Sequence, residues 1–600
     1  MALQLGHPGR RARILFAAML FVFSLFAVQI VRVQGVDAAA VSAEAKGSRM
    51  RQQNVDALRG QIVDRNGTVL ASSVQRYNVT ADATQTAQFK RTVKGQPTVV
   101  IGNSGVAAGL ASVVGGSAKD YYATLEAATK RKSKFTYVLK NVTPQQWQRI
   151  AALNLTGIFR ESTQERQYPE GASASSIVGW VGGDKATGSG GIELMRQQVL
   201  NGRPGVSTSE ETPDGTVIAT GSNSDTPAVN GSNVKLTLDS DLQFYASNVL
   251  AAQVKKTGAE AGDLVVMDLK GNVLAAVSYP SFDPVKLGSN ASYLQSRPFA
   301  EAYEPGSTSK VVTMAAALSE GATTPTSRVV VPPVLRRADT TFHDSEAHGV
   351  EDLTVAGVMA KSSNMGTIMV GEKISSASLY SYMTKFGLGS KTGTGFPGET
   401  TGIVAKPSDW SGSQKYTVMF GQGLSTSLIQ QASVYQTIAN NGLRLPVNLI
   451  AGVQQPSGDW VKPTDDRKPV RVVSPAVAGQ VRKMLSGVVS DKGTAAKASV
   501  PGYNVAGKTG TADLYDSKVG GYRGFTASFI GMAPANEPKY IVAAALQRPK
   551  TTIYGGEIAA PVFSQVMGYL LRTWAVPPSK GPVQLYPIQY TTPATPKRPE

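Results

Sequence analysis

The longest uninterrupted apolar stretch in the chain is residues 14–31 (ILFAAMLFVFSLFAVQIV), and it carries no charge. As a helix it spans about 27 Å, enough to cross the hydrocarbon core of a bilayer. It is apolar on every face, unlike a helix that buries one side only. Arg10, Arg11 and Arg13 precede it without an acidic residue, and Arg32, Asp37 and Glu44 follow. That bias predicts a cytoplasmic N-terminus with the rest of the chain outside. A signal peptide cut near Ala38, Ala39 and Ala40 is the competing reading. The stretch exceeds the ~7–15 apolar residues of a signal-peptide core, so an uncleaved anchor is expected. No second stretch of this length follows, which leaves one exported mass on a single tether.

Beyond the anchor the pattern changes. Residues 32–58 are polar and Ala/Gln-rich with helical character, and read as a stalk. Residues 59–71 (RGQIVDRNGTVLA) predict a hairpin, with Asn66-Gly67 between two short apolar runs. Short strands, helices such as 144–153, and a Gly-rich loop cluster at 182–191 follow. Residues 221–233 (GSNSDTPAVNGSN) read as a linker and set the main boundary. After it, 234–238 (VKLTL) alternates as a strand, and Asp239 precedes a helix over 242–255. A second hairpin joins 264–269 to 273–277 through Lys270-Gly271-Asn272. No regular strand–helix–strand rhythm appears, so the expected class is α+β. The division is a cytoplasmic tail (1–13), anchor (14–33), stalk and N-terminal domain (34–227), main domain (228–576), and a Pro/Thr-rich tail (577–600) expected to be poorly ordered.

Composition narrows the chemistry. Of 600 residues, 42% are apolar, which excludes a wholly disordered chain. The net charge is +18, yet there is no basic run of five and no basic stripe interleaved with aromatics. Nucleic acid is therefore not an expected partner. There is no cysteine, which excludes disulfides, thiolate metal sites and a cysteine nucleophile. The three histidines exclude a His-rich metal site. A Ser-His-Asp triad would need His343 or His348, and neither lies in a nucleophile context. No metal or cofactor is expected.

Three short motifs remain, and each alone is weak. Ser-x-x-Lys occurs at Ser232/Lys235 and Ser307/Lys310; Lys-Thr-Gly begins at Lys256, Lys391 and Lys508; Ser-x-Asn occurs at Ser362-Ser363-Asn364. Ser307 opens a helical apolar run at 311–318, where positions i and i+3 share a face. The helix start also favours a developing alkoxide. Ser232 and Lys235 fall on an alternating strand, where i and i+3 diverge. Lys256 closes a helix before Gly258, and Lys391 sits in a Gly/Pro-broken loop. Lys508 lies in VAGKTGTAD, whose small residues suit a strand edge approached closely by a substrate backbone. A serine needs a base, and here the base must be neutral Lys310. Burial and a nearby second cation, Lys508, would lower its pKa. Ser362 would carry the proton to the leaving amine, and Asn364 would hold Lys310 and the substrate amide. The N–H groups of Ser307 and Thr511 would form the oxyanion hole. The Thr509 and Thr511 hydroxyls, flanking Gly510, suit a terminal carboxylate.

With these motifs in order, the chain resembles the class B penicillin-binding proteins. RGQIVDRNGTVLA, RQYPEGASASSIVGWVG and GGIELMRQQVLNGRPG, with Glu193 in Gly-x-Glu, resemble the N-terminal pedestal of that family. LTLDSDLQ, AVSYPSFDP, YEPGSTSK, KSSNMG, FGLGSKTGTGFPGE, FGQGLSTSLIQ, ANNGLRLP, GKTGTAD and YGGEIAAPVF resemble its transpeptidase domain in order. The resemblance implies a pedestal followed by an antiparallel sheet flanked by helices. It also implies a D,D-transpeptidase that crosslinks peptidoglycan stem peptides through an acyl-enzyme on Ser307 and is acylated there by β-lactams. The septal, cell-division type (FtsI family) is the nearest. Its implied partners are a SEDS-type, FtsW-like glycan polymerase and other divisome membrane proteins. The elongation type is the alternative. A β-lactam-hydrolysing or -sensing enzyme would need a deacylating base that the sequence does not place, and an inactive scaffold would not need Lys310 or Lys508. Ser309 departs from the family, which usually has Phe there.

Overall fold

The computed structural model describes residues 8–591 except 37, 92–96, 184–186, 211–217, 222, 289 and 290. The outer parts of both expected tails (1–7 and 592–600), Ser222 of the expected linker and part of the 182–191 loop cluster lie outside the described residues.

Helix α1 (Pro8–Val31) is long and apolar enough to cross a membrane and buries no residue of its own. The stalk is helical over Arg32–Val36 and Ala38–Arg49, and then becomes a strand, Met50–Val55. That strand pairs antiparallel with Gly205–Glu210. Ladder pairing there overrides the helical preference of its Gln-rich sequence.

The predicted hairpin is present as β1 (Ile62–Val63) and β2 (Val69–Ala81). Its turn centres on Arg65-Asn66, with Gly67 at φ +97°. Asp64 organises it by accepting from the amides of Asn66 and Thr68, both at 2.8 Å.

Two compact units interleave along the chain. The first comprises Met1–Leu58, Gln75–Gln164 and Gly202–Asn230; the second comprises Arg59–Val74, Glu165–Asn201 and Gly231–Glu600. In the first unit a small core gathers Val79, Val106, Leu110, Leu125 and Ile150. The helix expected at 144–153 is Pro144–Ala152, started by a reciprocal Thr143/Gln146 capping box.

The last segment of the second unit carries α2 (Ser240–Thr257), which Asp239 caps through the Leu242 amide and Gly258 ends at φ +63°. The second predicted hairpin is β3 (Ala261–Asp268) and β4 (Val273–Tyr279). The helices that follow include α3 (Lys310–Ser319), α4 (Val355–Lys361), α5 (Asn364–Gly371) and α6 (Leu428–Ala439). Then come α7 (Pro475–Val489), β5 (Ala506–Asp516), β6 (Gly521–Ala533), β7 (Tyr540–Gln547) and α8 (Ala560–Thr573). The sheet has five antiparallel strands in the order β4-β3-β7-β6-β5. All but the end residues of β3 and β7 are buried, which requires cover on both faces. Helices α2, α6 and α8 supply it, and every residue of α6 is buried.

Two segments of this unit, Arg59–Val74 and Glu165–Asn201, meet at a buried ion triad. Glu193 takes Arg59 Nε on one oxygen at 2.6 Å and Arg166 Nε on the other at 2.7 Å, with side-chain exposures of at most 1%. Arg59 also donates to the Glu193 carbonyl and to Gln197, both at 2.7 Å.

The described part of the tail, residues 577–591, corrects the sequence expectation of poor order. From residue 577 to 591 it lies along the second unit. Its Ile588 carbonyl accepts from Thr354 N at 2.9 Å, and Tyr590 N donates to the Asp352 carbonyl at 2.9 Å. A Cβ on Gly357, in α4, would stand 2.0 Å from the Ile588 oxygen, so only glycine admits the tail there. A proline-rich strand cannot build its own ladder, but it can serve as an extended acceptor for another element.

Candidate active site

Three segments distant in sequence converge within the second unit. The first is a 3-10 turn, Gly306–Ser309, leading into α3. Ser307 therefore sits just before the α-helix and not in its first turn. Gly306 has φ +54°, and a Cβ there would lie 2.9 Å from the Thr511 carbonyl oxygen. On β5, a Cβ on Gly510 would lie 2.3 Å from Ser528 Oγ and 3.0 Å from the Pro305 carbonyl. These two glycines let the Ser307 turn rest directly on the strand bearing Lys508-Thr509-Gly510-Thr511. The strand is at the sheet edge, paired on one side only by β6.

Ser307 is half-buried, and its hydroxyl makes no hydrogen bond among the described residues. Lys310 is fully buried. Its Nζ donates to the Ser362 carbonyl, and to Ser362 Oγ at 3.4 Å. Ser362 closes α4 in the left-handed region at φ +62°, which costs a non-glycine residue about 1–3 kcal/mol and is held by the surroundings. Contacts between base and nucleophile are often long in unliganded sites and tighten on substrate binding.

Burial pushes the Lys310 ammonium down to about 7, against the opposing pull of Asp344. Lys508 is also fully buried, and burial together with the Lys310 charge holds it well below the usual lysine range. Its Nζ donates to the Thr509 carbonyl at 3.3 Å and to Thr509 Oγ1 at 3.2 Å. Thr509 Oγ1 also bonds Thr494 Oγ1 at 2.9 Å, and Thr511 Oγ1 donates to the Ile553 carbonyl at 3.3 Å.

Asn364 differs from its expected contact. Its amide donates to the His343 carbonyl at 3.3 Å, and the backbone carbonyl of Ser362, not Asn364, holds Lys310. The reason is positional, since Asn364 is the first residue of α5 whereas Ser362 ends α4. Ser309 is buried with its hydroxyl unpartnered among the described residues, in the place where Phe was the family expectation.

The duplicate motifs fall elsewhere. Lys235 stacks on Trp460 from a strand, with Nζ 4.6 Å from the ring centre. Lys256 ends α2. Lys391 lines a cavity of about 310 Å³ together with Arg444 and Arg467, and none of Ser307, Lys310, Ser362 or Lys508 lines it.

Two acidic residues were not singled out by the sequence. Glu304, three residues before Ser307, accepts from Gly423 N at 3.0 Å and from Tyr522 Oη at 2.9 Å, bracing the turn. Asp344 accepts from the amides of Asn364 and Met365. Glu304 adjoins the Ser307 motif in sequence, whereas Asp344 stands in an aperiodic loop with no local signal.

An antiparallel sheet between helices, with a serine turn resting on an edge strand and two buried lysines beside it, has the residue types that serine–lysine acyl transfer needs. Residues 262–568 match the penicillin binding protein transpeptidase domain, and 54–236 match the penicillin-binding protein dimerisation domain. Penicillin-binding protein PbpB of Mycolicibacterium smegmatis is 34% identical over 583 residues, covering 92% of this chain and 89% of that protein. Peptidoglycan D,D-transpeptidase FtsI of Escherichia coli is 30% identical over 540 residues, covering 88% and 86%. Among solved structures, penicillin binding protein 3 of Mycobacterium tuberculosis in complex with aztreonam has a TM-score of 0.68 at 30% identity, covering 90% of this chain and all of that one. A peptidoglycan synthetase from Bifidobacterium adolescentis reaches a TM-score of 0.73 at 29% identity, also covering 90% of this chain and all of that one. The chain belongs to the class B penicillin-binding proteins and is a peptidoglycan D,D-transpeptidase.

Proposed function

We propose that Ser307 is the nucleophile and neutral Lys310 its base, in an exported, membrane-anchored enzyme that crosslinks stem peptides during septal wall synthesis. The observation that carries this reading is two fully buried lysines, Lys310 and Lys508, gathered where the Ser307 turn meets β5. A buried cation without a paired carboxylate is costly, so a neutral amine is favoured.

In the reaction, Lys310 takes the Ser307 proton as Oγ bonds the carbonyl carbon of the penultimate D-Ala. The amide N–H groups of Ser307 and Thr511 stabilise the oxyanion. The C–N bond to terminal D-Ala then breaks, with Ser362 delivering the proton to the departing amine. An amine from a second stem peptide attacks the ester, and Ser307 regains its proton. Asn364 holds the substrate amide. Lys508, Thr509, Gly510 and Thr511 receive the terminal carboxylate, and burial keeps Lys310 unprotonated. β-Lactams acylate the same oxygen.

Residues 14–33 anchor the chain with its N-terminus cytoplasmic; 34–227 form the pedestal and 228–576 the catalytic domain. The membrane partners are a SEDS-type glycan polymerase and other divisome proteins. The decisive test uses a fluorescent penicillin and peptide mapping. A stable adduct is expected on the peptide carrying Ser307. Rapid turnover would point to a hydrolase, and no adduct would overturn the assignment. For the septal role, depletion in the parent bacterium is expected to give filaments. Rounded cells would instead indicate lateral wall synthesis.

A further inference from the structure

We propose that Asp344 is a positioning residue of the acylation site. One carboxylate oxygen holds the start of α5, where Asn364 sits; the other is held by His348; and its charge acts on Lys310. The inference rests on the roles of Ser307 and Lys310 proposed above.

The geometry is specific. Asp344 Oδ1 accepts from Asn364 N at 2.5 Å and from Met365 N at 3.0 Å. A carboxylate over the first turn of a helix satisfies free amides and suits the positive end of the helix. Oδ2 lies 3.1 Å from His348 Nε2, and His348 Nδ1 lies 2.6 Å from the Gly349 carbonyl. Both side chains are mostly buried, with exposures of 10% and 16%. Asp344 thus binds the Ser-x-Asn segment to a loop twenty residues earlier, from which the neighbouring His343 carbonyl also takes the Asn364 amide.

The charge has a consequence of its own. Asp344 is the acidic group that pulls Lys310 upward against burial. On the other side, the Lys310 charge is one of the two causes that hold Lys508 down. Lys310 is thus set by burial on one hand and by the Asp344 charge that opposes it on the other. His348 faces Asp344 and Glu351, and Glu351 is itself paired with Lys361. Glu372, just past the far end of α5, is taken by Arg337 at 2.6 Å. Burial pulls His348 down, but the bonds to the Gly349 carbonyl and Asp344 outweigh it and leave it above its usual value. Protonated His348 cancels part of the Asp344 charge.

The test is the pH dependence of penicillin acylation, with thermal melting as the check on folding. Asp344→Asn keeps an acceptor for the two amides and removes the charge. Its acid limb is expected to move to lower pH by roughly 0.5–1 unit, because Lys310 loses its proton more readily. Asp344→Glu restores the charge and should return the limb toward the wild-type position. His348→Gln leaves the Asp344 charge unopposed and is expected to move the limb the other way. A folded Asp344→Asn variant with an unmoved limb overturns the proposal. Should that variant fail to fold, an unmoved limb in His348→Gln overturns it instead. A wild-type protein that forms no adduct overturns the reading of Ser307, which is a distinct failure.

Discussion

Replacing Lys310 by methionine is expected to slow penicillin acylation by roughly 10²–10⁴-fold, the usual contribution of a positioned general base. Methionine fills similar space without a titrating group, so the loss isolates the base. In the wild type the acylation rate should fall about tenfold per pH unit below about 7, where Lys310 takes up its proton. Stopped-flow fluorescence across pH 5–9 reads both effects. An unchanged rate in K310M would remove Lys310 from the mechanism.

The same substitution is expected to raise stability. Lys310 has a folded value near 7 against an ordinary value of 10.5. Between these limits the unfolded chain holds a proton that the folded chain lacks, so stability rises with pH through that window. Below it the full penalty of a buried cation remains. K310M removes that penalty, so its melting temperature should exceed the wild type most clearly at and below neutral pH. A site more stable without its base is one where function has been kept at the expense of packing.

Glu193→Gln is expected to destabilise the fold by about 3–5 kcal/mol, because it strands the Arg59 and Arg166 guanidiniums without a counter-charge. The readout is thermal melting together with limited proteolysis of segment 165–201. Both should show early opening of the second unit. Adding Arg166→Met to Glu193→Gln removes one of the stranded charges and should recover part of the loss. Equal melting of Glu193→Gln and wild type would mean that the triad is dispensable. The Ser307 chemistry is not predicted to change at temperatures where the variant remains folded.

Much of the site was legible because its signals are local. Ser307 and Lys310 share a turn; Ser362 and Asn364 share one capping segment; Lys508 to Thr511 share one strand. Turn and cap chemistry decided the hairpins as well, through Asn66-Gly67 and Lys270-Gly271-Asn272. The two misjudged segments had composition but no partner to read. Residues 50–55 became a strand because Gly205–Glu210 pairs with them, and residues 577–591 became ordered because the Glu351–Thr354 strand and α4 dock on them.

By itself the sequence determined the elements, the apolar anchor and the residue types able to run serine–lysine acyl transfer, since these follow from nearest-neighbour periodicity and side-chain chemistry. Only the tertiary structure decided that Lys310 leans on the Ser362 carbonyl instead of Asn364, and that Asp344 stands behind Asn364. Burial and charge–charge coupling join groups far apart in the chain, and their strength depends on the space between them, which no local pattern encodes.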